Sequence, residues 1–308
     1  MRNLLNIPVV CSIFLGLCLP AYAVKKPQIT ASTTDIASIA SDLLGKHAAV
    51  NSVMNGGENP VFFIPEKRNI ISAGQSDFFL KNGMGLETRW EKKFYKDVKN
   101  PKISIGATGN IPVTANIKTL PIKTTKKIVL DIYKEGNPFV WLDPVNGKKI
   151  ARNITDYFCS IYPIWEKDIR SNLSKFNRNI DKKMVGWIKK MSVYKSKKVI
   201  SYQHNFDYFA KRFNINIVDY VESEYELPPS EKRIRQIIAK IKKHHIPLLL
   251  ITDYNSRRIP RQIVEQTGIK LLVLPTSVGS NWVKSYVQLF DYLINSFDQT
   301  MKKINKTD

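Results

Sequence analysis

The stretch WEKDIRSNLSKFNRNIDKKMVGWIKKM, Trp165 to Met191, decides the fold. It runs without a proline, and Leu173, Phe176, Ile180, Met184, Ile188 and Met191 recur at spacings of three, four or seven. That is the period of one amphipathic helix with a single apolar face. Short β-rich runs alternate with helical patterns on both sides of it, so the chain reads as two α/β lobes with mostly parallel sheets flanked by helices. One long rigid helix would join them, limit hinge motion and leave a ligand crevice at the strand carboxyl ends. The boundaries expected are 24–160 for the first lobe, 161–196 for the connecting helix and 197–308 for the second lobe.

In the first lobe, PQITAS reads as a strand, and the helix after it has Ile36, Ile39, Leu43 and Leu44 on one face, with Thr34 or Asp35 as its cap. SDFFLKNG and ISIGATG read as further strands. In the second lobe, KVISY, INIVDYV, PLLLIT and KLLVLP read as strands. Asn205 is placed to cap a helix over FDYFAKRF, Ile234, Ile237, Ile238 and Ile241 form a clean helical face, and Gly268 ends a third helix. The last helix is expected from about Trp282 to Met301.

The chain has 308 residues, 43% of them apolar, enough for a substantial core. Arg2, the apolar run Leu4 to Leu19 and Ala21-Tyr22-Ala23 have the layout of a signal peptide over residues 1–23, so the chain is expected to be secreted and its mature form to start near Val24. The run is broken by Asn6, Pro8 and Pro20 and is short for a membrane span. Leu17 before Cys18 argues against a lipid anchor. Cys159 would then be the single remaining cysteine, which excludes an internal disulfide.

The formal net charge is +22. Attraction to an anionic envelope surface is one reading; a lysine-rich composition is the other. The lysines are scattered, with no zinc-finger spacing and no aromatic-basic RNA motif, so nucleic acid is not an expected partner. There is no Gly-x-Ser-x-Gly elbow, phosphate loop, His-Glu-x-x-His or paired-cysteine motif, and no enzyme is expected. Glu222, Glu224 and Glu226 cluster without a partner base and read as a solvated loop. His47 and the pair His244-His245 read as surface or helix-end residues.

The stretch GNPFVWLDPVNG, Gly136 to Gly147, combines large apolar side chains with Asn-Pro and Asp-Pro, so it could be core or cleft rim. Together with the long helix, SYQHNFDYFAKRFNI, YVESEYELPPSEKRI, LLLITDYNSRRIP, TGIKLLVLPTSVG, NPVFFIPEKR and KNGMGLETRW, it resembles the successive blocks of the periplasmic zinc and manganese solute-binding proteins of ABC importers (cluster A-I type). The resemblance runs in order over nearly the whole mature chain. It implies a monomeric periplasmic protein that delivers a divalent metal, Zn²⁺ or Mn²⁺, to an inner-membrane permease.

The family's metal is generally held between the lobes by three histidines and one acidic residue. Here Val61 and Phe139 stand where two histidines are expected, Gln203 stands at the third place with His204 beside it, and Asp253 holds the acidic position. Zn²⁺ held by protein alone needs about four N, O or S donors. Either His204 and Asp253, helped by Gln203, Tyr202 or water, would bind metal weakly, or the cleft would accept a different ligand against Phe139 and Val61; Val140 to Pro144 would form a short strand and turn. The family's acidic, histidine-rich first-lobe loop is replaced by the basic LETRWEKKFYKDVKNPK. The alternative function is a non-transport interaction protein that contacts an anionic partner through its basic surface.

Overall fold

The computed structural model describes residues 26–122, 133–222 and 228–306. The expected signal peptide, Glu224, Glu226 and part of the YVESEYELPPSEKRI block lie outside the described residues. Two four-stranded parallel sheets carry the fold. The first contains β1 (Gln28–Ala31), β2 (Ala49–Ser52), β3 (Phe78–Lys81) and β4 (Asn110–Pro112) in the order β2-β1-β3-β4. The second contains β5 (Lys198–Ser201), β6 (Asn216–Tyr220), β7 (Leu248–Thr252) and β8 (Lys270–Leu274) in the order β6-β5-β7-β8. Both sheets therefore reverse direction of growth at their first strand, which places a switch point at the carboxyl ends of β1 and β3 and of β5 and β7.

Around the first sheet lie α1 (Thr34–Leu44), α2 (Lys67–Gly74), α3 (Glu91–Val98) and α4 (Pro144–Ile161); α5 (Glu166–Ser192) follows; and around the second lie α6 (Asp207–Arg212), α7 (Glu231–His244), α8 (Arg258–Thr267) and α9 (Tyr286–Ile304). The period-two alternation of the strands sorts their side chains into three cores. Phe79 faces Trp90 and Phe94 on one side of the first sheet. Ile200, Leu249 and Ile251 face Ile234, Ile237 and Ile263 on one side of the second. Ile29, Ala31, Phe78 and Leu80 share a third, central core with Val199, Leu248 and Leu250. Residues of α1, α4, α5 and α9 fill that core, which is why the lobes are joined through packed hydrocarbon and not through a strand-like hinge.

Several local expectations are corrected. Thr33, not Thr34 or Asp35, caps α1, because its hydroxyl accepts from the Ile36 amide. ISIGATG is not a strand; a 3₁₀ turn at Pro101–Ile103 precedes β4, which begins one residue later than that stretch ends. Val140–Leu142 is a 3₁₀ turn and not a strand, and Asp143 caps α4 through the Val145 amide. Asn205 does not cap α6; its side chain donates to Tyr254 Oη at 3.0 Å. On α5, Phe176, Ile180 and Met191 keep the expected face, but Trp187, packed on Phe290 of α9, is buried in place of Ile188, which is 51% exposed. Trp282 stays outside the last helix, with φ of 65°. His47 is not a simple surface residue: it stacks on Trp165 at 5.1 Å and its Nε2 lies 2.9 Å from Asp168. The strand β2 and the helices α2 and α3 carry too weak a pattern in sequence to be singled out.

Candidate functional site

The expected site residues fall at the carboxyl ends of the two sheets, in two different environments. Val61 and Phe139 are both 0% exposed and belong to the central core, so neither lies on an open rim. Trp90 Nε1 donates to Pro60 O at 3.0 Å, which fixes the chain just before Val61. The Phe139 ring packs against Trp141 at 5.2 Å, and Trp141 Nε1 donates across to Thr276 O at 2.8 Å. The apolar run from Pro138 to Leu142 is thus core throughout. Neither side chain has a lone pair to offer a metal.

Gln203 and His204 follow β5. Gln203 Nε2 donates to Glu222 Oε2 at 2.5 Å, and its Oε1 accepts from Asn255 Nδ2 at 3.2 Å. Burial raises the Glu222 carboxyl above its ordinary value. His204, 8% exposed, has Nδ1 2.8 Å from Asp207 Oδ2 and lies over the Tyr220 ring at 3.6 Å. Asp207 also accepts from Tyr220 Oη at 3.0 Å. A carboxylate on Nδ1 orients the ring and leaves Nε2 as its remaining donor, the arrangement common to metal-binding histidines.

Asp253 follows β7. Its Oδ2 accepts a short hydrogen bond from Ser280 Oγ, and Gly57 of the first lobe lies directly against it. A side chain at Gly56 would collide with the backbone of Gly279 and Ser280, so only glycine allows the loop ahead of Val61 to close onto the loop after β8. Asp253 Oδ1 is buried without a hydrogen-bond partner. That oxygen can accept a cation or a water. No hydrogen bond joins His204 to Asp253; their loops meet through Asn205 and Tyr254. Among the described residues, no group of three or more His, Cys, Asp and Glu side chains could hold a metal ion. The donors present do not fit a closed four-ligand site.

Three buried polar residues, two of them at the seam, escaped the sequence reading. Asp35, taken there only as a cap, accepts from the Val278 amide at 3.0 Å and ties α1 to the loop after β8; burial pushes its carboxyl up to about 7. Glu87 accepts from the amides of Asn82 and Gly83 at 2.8 and 3.0 Å, and burial raises it to about 7 as well. Asn137 donates to His204 O at 2.7 Å and to Asp207 Oδ2 at 3.2 Å, while its own carbonyl accepts from Tyr208 Oη at 2.8 Å. The Asn-Pro pair before Phe139 was the available signal for Asn137. For Asp35 and Glu87 there was none, since acidic residues near helix starts are ordinarily solvated.

Residues 29–300 match the family described as zinc-uptake complex component A, periplasmic (ZnuA). The iron-binding protein YfeA of Yersinia pestis is 24% identical over 283 residues, covering 90% of this chain and 87% of that protein. The metal ABC transporter substrate-binding lipoprotein SloC of Streptococcus mutans is 24% identical over 276 residues, covering 88% of each. The manganese-bound periplasmic metal-binding protein of Candidatus Liberibacter asiaticus superposes with a TM-score of 0.73 at 17% identity, covering 90% of this chain and all of that one (100%). That likeness bears out the expected fold of two parallel-sheet lobes around one long helix.

Proposed function

The chain belongs to the zinc-uptake complex component A family, and on that premise we propose that it is the periplasmic substrate-binding component of a divalent-metal ABC importer whose metal site is much weakened. The family consists of solute-binding proteins and not enzymes, so no reaction is assigned. One observation carries the weakened site: Val61 and Phe139, at the places of two family histidines, are fully buried apolar side chains. Asp253 and His204 remain as donors, with Gln203 committed to Glu222 and Asn255. A single Zn²⁺ or Mn²⁺ with water in its other positions suits this pair better than a closed site. The division into lobes at 24–160 and 197–308, with 161–196 between them, belongs to the same reading; each sheet is confined to one side of α5. The names of the relatives, which include iron and zinc binders and a manganese ABC transporter substrate-binding lipoprotein, support metal as cargo and an ABC transporter as partner, whose inner-membrane permease this chain would serve.

Calorimetric titration of the chelator-stripped protein with Zn²⁺ and Mn²⁺ tests this. The expected result is binding at roughly 1 µM or weaker, about −8 kcal/mol or less favourable, lost in Asp253→Ala and in His204→Ala. Nanomolar binding, or binding that survives both substitutions, overturns it. Phe139→His combined with Val61→His is expected to tighten Zn²⁺ by several orders of magnitude if both positions still surround Asp253, with a thermal melt to verify folding.

A further inference from the structure

A cavity of about 610 Å³ lies at the seam of the lobes, lined by the segment after β4, the start of α4 and one face of α6. Its charged lining is Lys118, Lys149, Lys211, Arg212 and Asp143. Arg212 and Asp143 neutralise each other: Nε and Nη2 of the arginine reach the two carboxylate oxygens, both at 2.7 Å. Among the described residues, the side chains of Lys118, Lys149 and Lys211, all exposed, make no hydrogen bond or ion pair. Three positive charges therefore stand on the lining of one cavity without an acidic partner.

The other described cavities differ. In one, Lys102 is paired with Asp77 at 2.6 Å. In another, Lys81 is paired with Glu91 at 2.8 Å, and Glu87 and Glu135 stand beside the one further lysine, Lys134. In a third, Lys46 and His47 both meet Asp168, which leaves Lys175. A high lysine content alone would load all four similarly, so the excess at the seam is a local feature.

The chemistry selects the ligand. A monocarboxylate would leave two of the three lysines unbalanced, and the one guanidinium able to grip a carboxylate bidentately is already taken by Asp143. Ammonium groups act as point charges toward phosphate oxygens. Tyr208, which donates to Asn137 and accepts from Leu120, holds the cavity wall from the second lobe to the first. Cavities of about 300 to 1,000 Å³ take small organic molecules. We propose that this seam cavity binds a phosphate-class oxyanion carrying at least two negative charges, held by Lys118, Lys149 and Lys211 and contacting both lobes. The site is separate from Asp253 and His204 and stands whether or not metal binds there.

The anion could be free or the head group of a lipid, and two probes distinguish these sources: pyrophosphate in solution, by calorimetry, and phosphatidic acid vesicles against phosphatidylcholine vesicles, by sedimentation. The triple variant Lys118→Gln, Lys149→Gln, Lys211→Gln is compared with Lys182→Gln, Lys189→Gln, Lys195→Gln, which loses the same charge from α5 and the turn after it. If pyrophosphate weakens roughly tenfold or more in the first variant and little in the second, the free anion is supported. If the same contrast appears only with phosphatidic acid vesicles, the head group is the source. Equal weakening in both variants, or no binding of either probe to the parent protein, overturns the proposal.

Discussion

The two sheets share one strand order, yet their carboxyl ends have been put to opposite uses. At the first, Val61 and Phe139 are sealed into the central core, and Glu87 satisfies the buried amides of Asn82 and Gly83 from within its own lobe. At the second, Gln203, His204 and Asp253 keep polar atoms near the seam, and one of them, Asp253 Oδ1, has no partner. One end of the cleft between the two switch points is thus continuous with the central core, and the other keeps polar side chains.

The largest expected effect tests the sealed side. Phe139→Ala should cost about 3 to 5 kcal/mol in chemical denaturation, the range for truncating a buried phenylalanine, with metal titration of the folded fraction unchanged. A loss under about 1 kcal/mol would mean that Phe139 lines a cleft after all.

Asp35 tests the seam. Its folded carboxyl is raised from 3.8 to about 7, so the folded protein holds the proton more tightly than the unfolded chain. The associated stability is fully present below pH 3.8 and is lost as pH rises to about 7. Asp35→Asn keeps an oxygen for the Val278 amide but cannot ionise. Melting temperatures across this window should therefore fall less steeply in the variant than in the parent, by an amount worth roughly 2 to 4 kcal/mol at the upper end. Glu87, raised in the same sense, leaves part of the slope in place. Identical profiles would contradict burial of Asp35 at the seam.

The smallest effect belongs to the polar side. Gln203→Ala removes the bridge between Glu222 and Asn255 and should cost about 1 kcal/mol in denaturation. A cost comparable with that of Phe139→Ala would erase the contrast between the two ends.

Much of the fold was legible in the chain. The strands β1, β3 and β5 to β8 are legible as short apolar or β-branched runs between turn signals, and the helices α1, α7 and α8 and the long α5 by their period of 3.6. The misreadings are local. A 3₁₀ turn in VWL looks like a strand because a three-residue apolar run has no period, and Trp187 displaced Ile188 because the partner helix chooses the buried face. The candidate site was legible only as positions. Sequence could name Gln203, His204 and Asp253, but not that Asp207 orients the histidine, that Ser280 occupies the aspartate or that Asn137 joins the lobes.

By itself the sequence determined the two α/β lobes, the joining helix, the basic charge and the absence of imidazole at positions 61 and 139. These follow from local periodicity and residue chemistry. Only the tertiary structure decided that Phe139 is wholly core, that Asp35 and Glu87 are buried, and that three unpaired lysines share one cavity. Burial and charge pairing depend on segments far apart in the chain, such as Asp35 with Val278 and Asp143 with Arg212, and no local pattern encodes those distances.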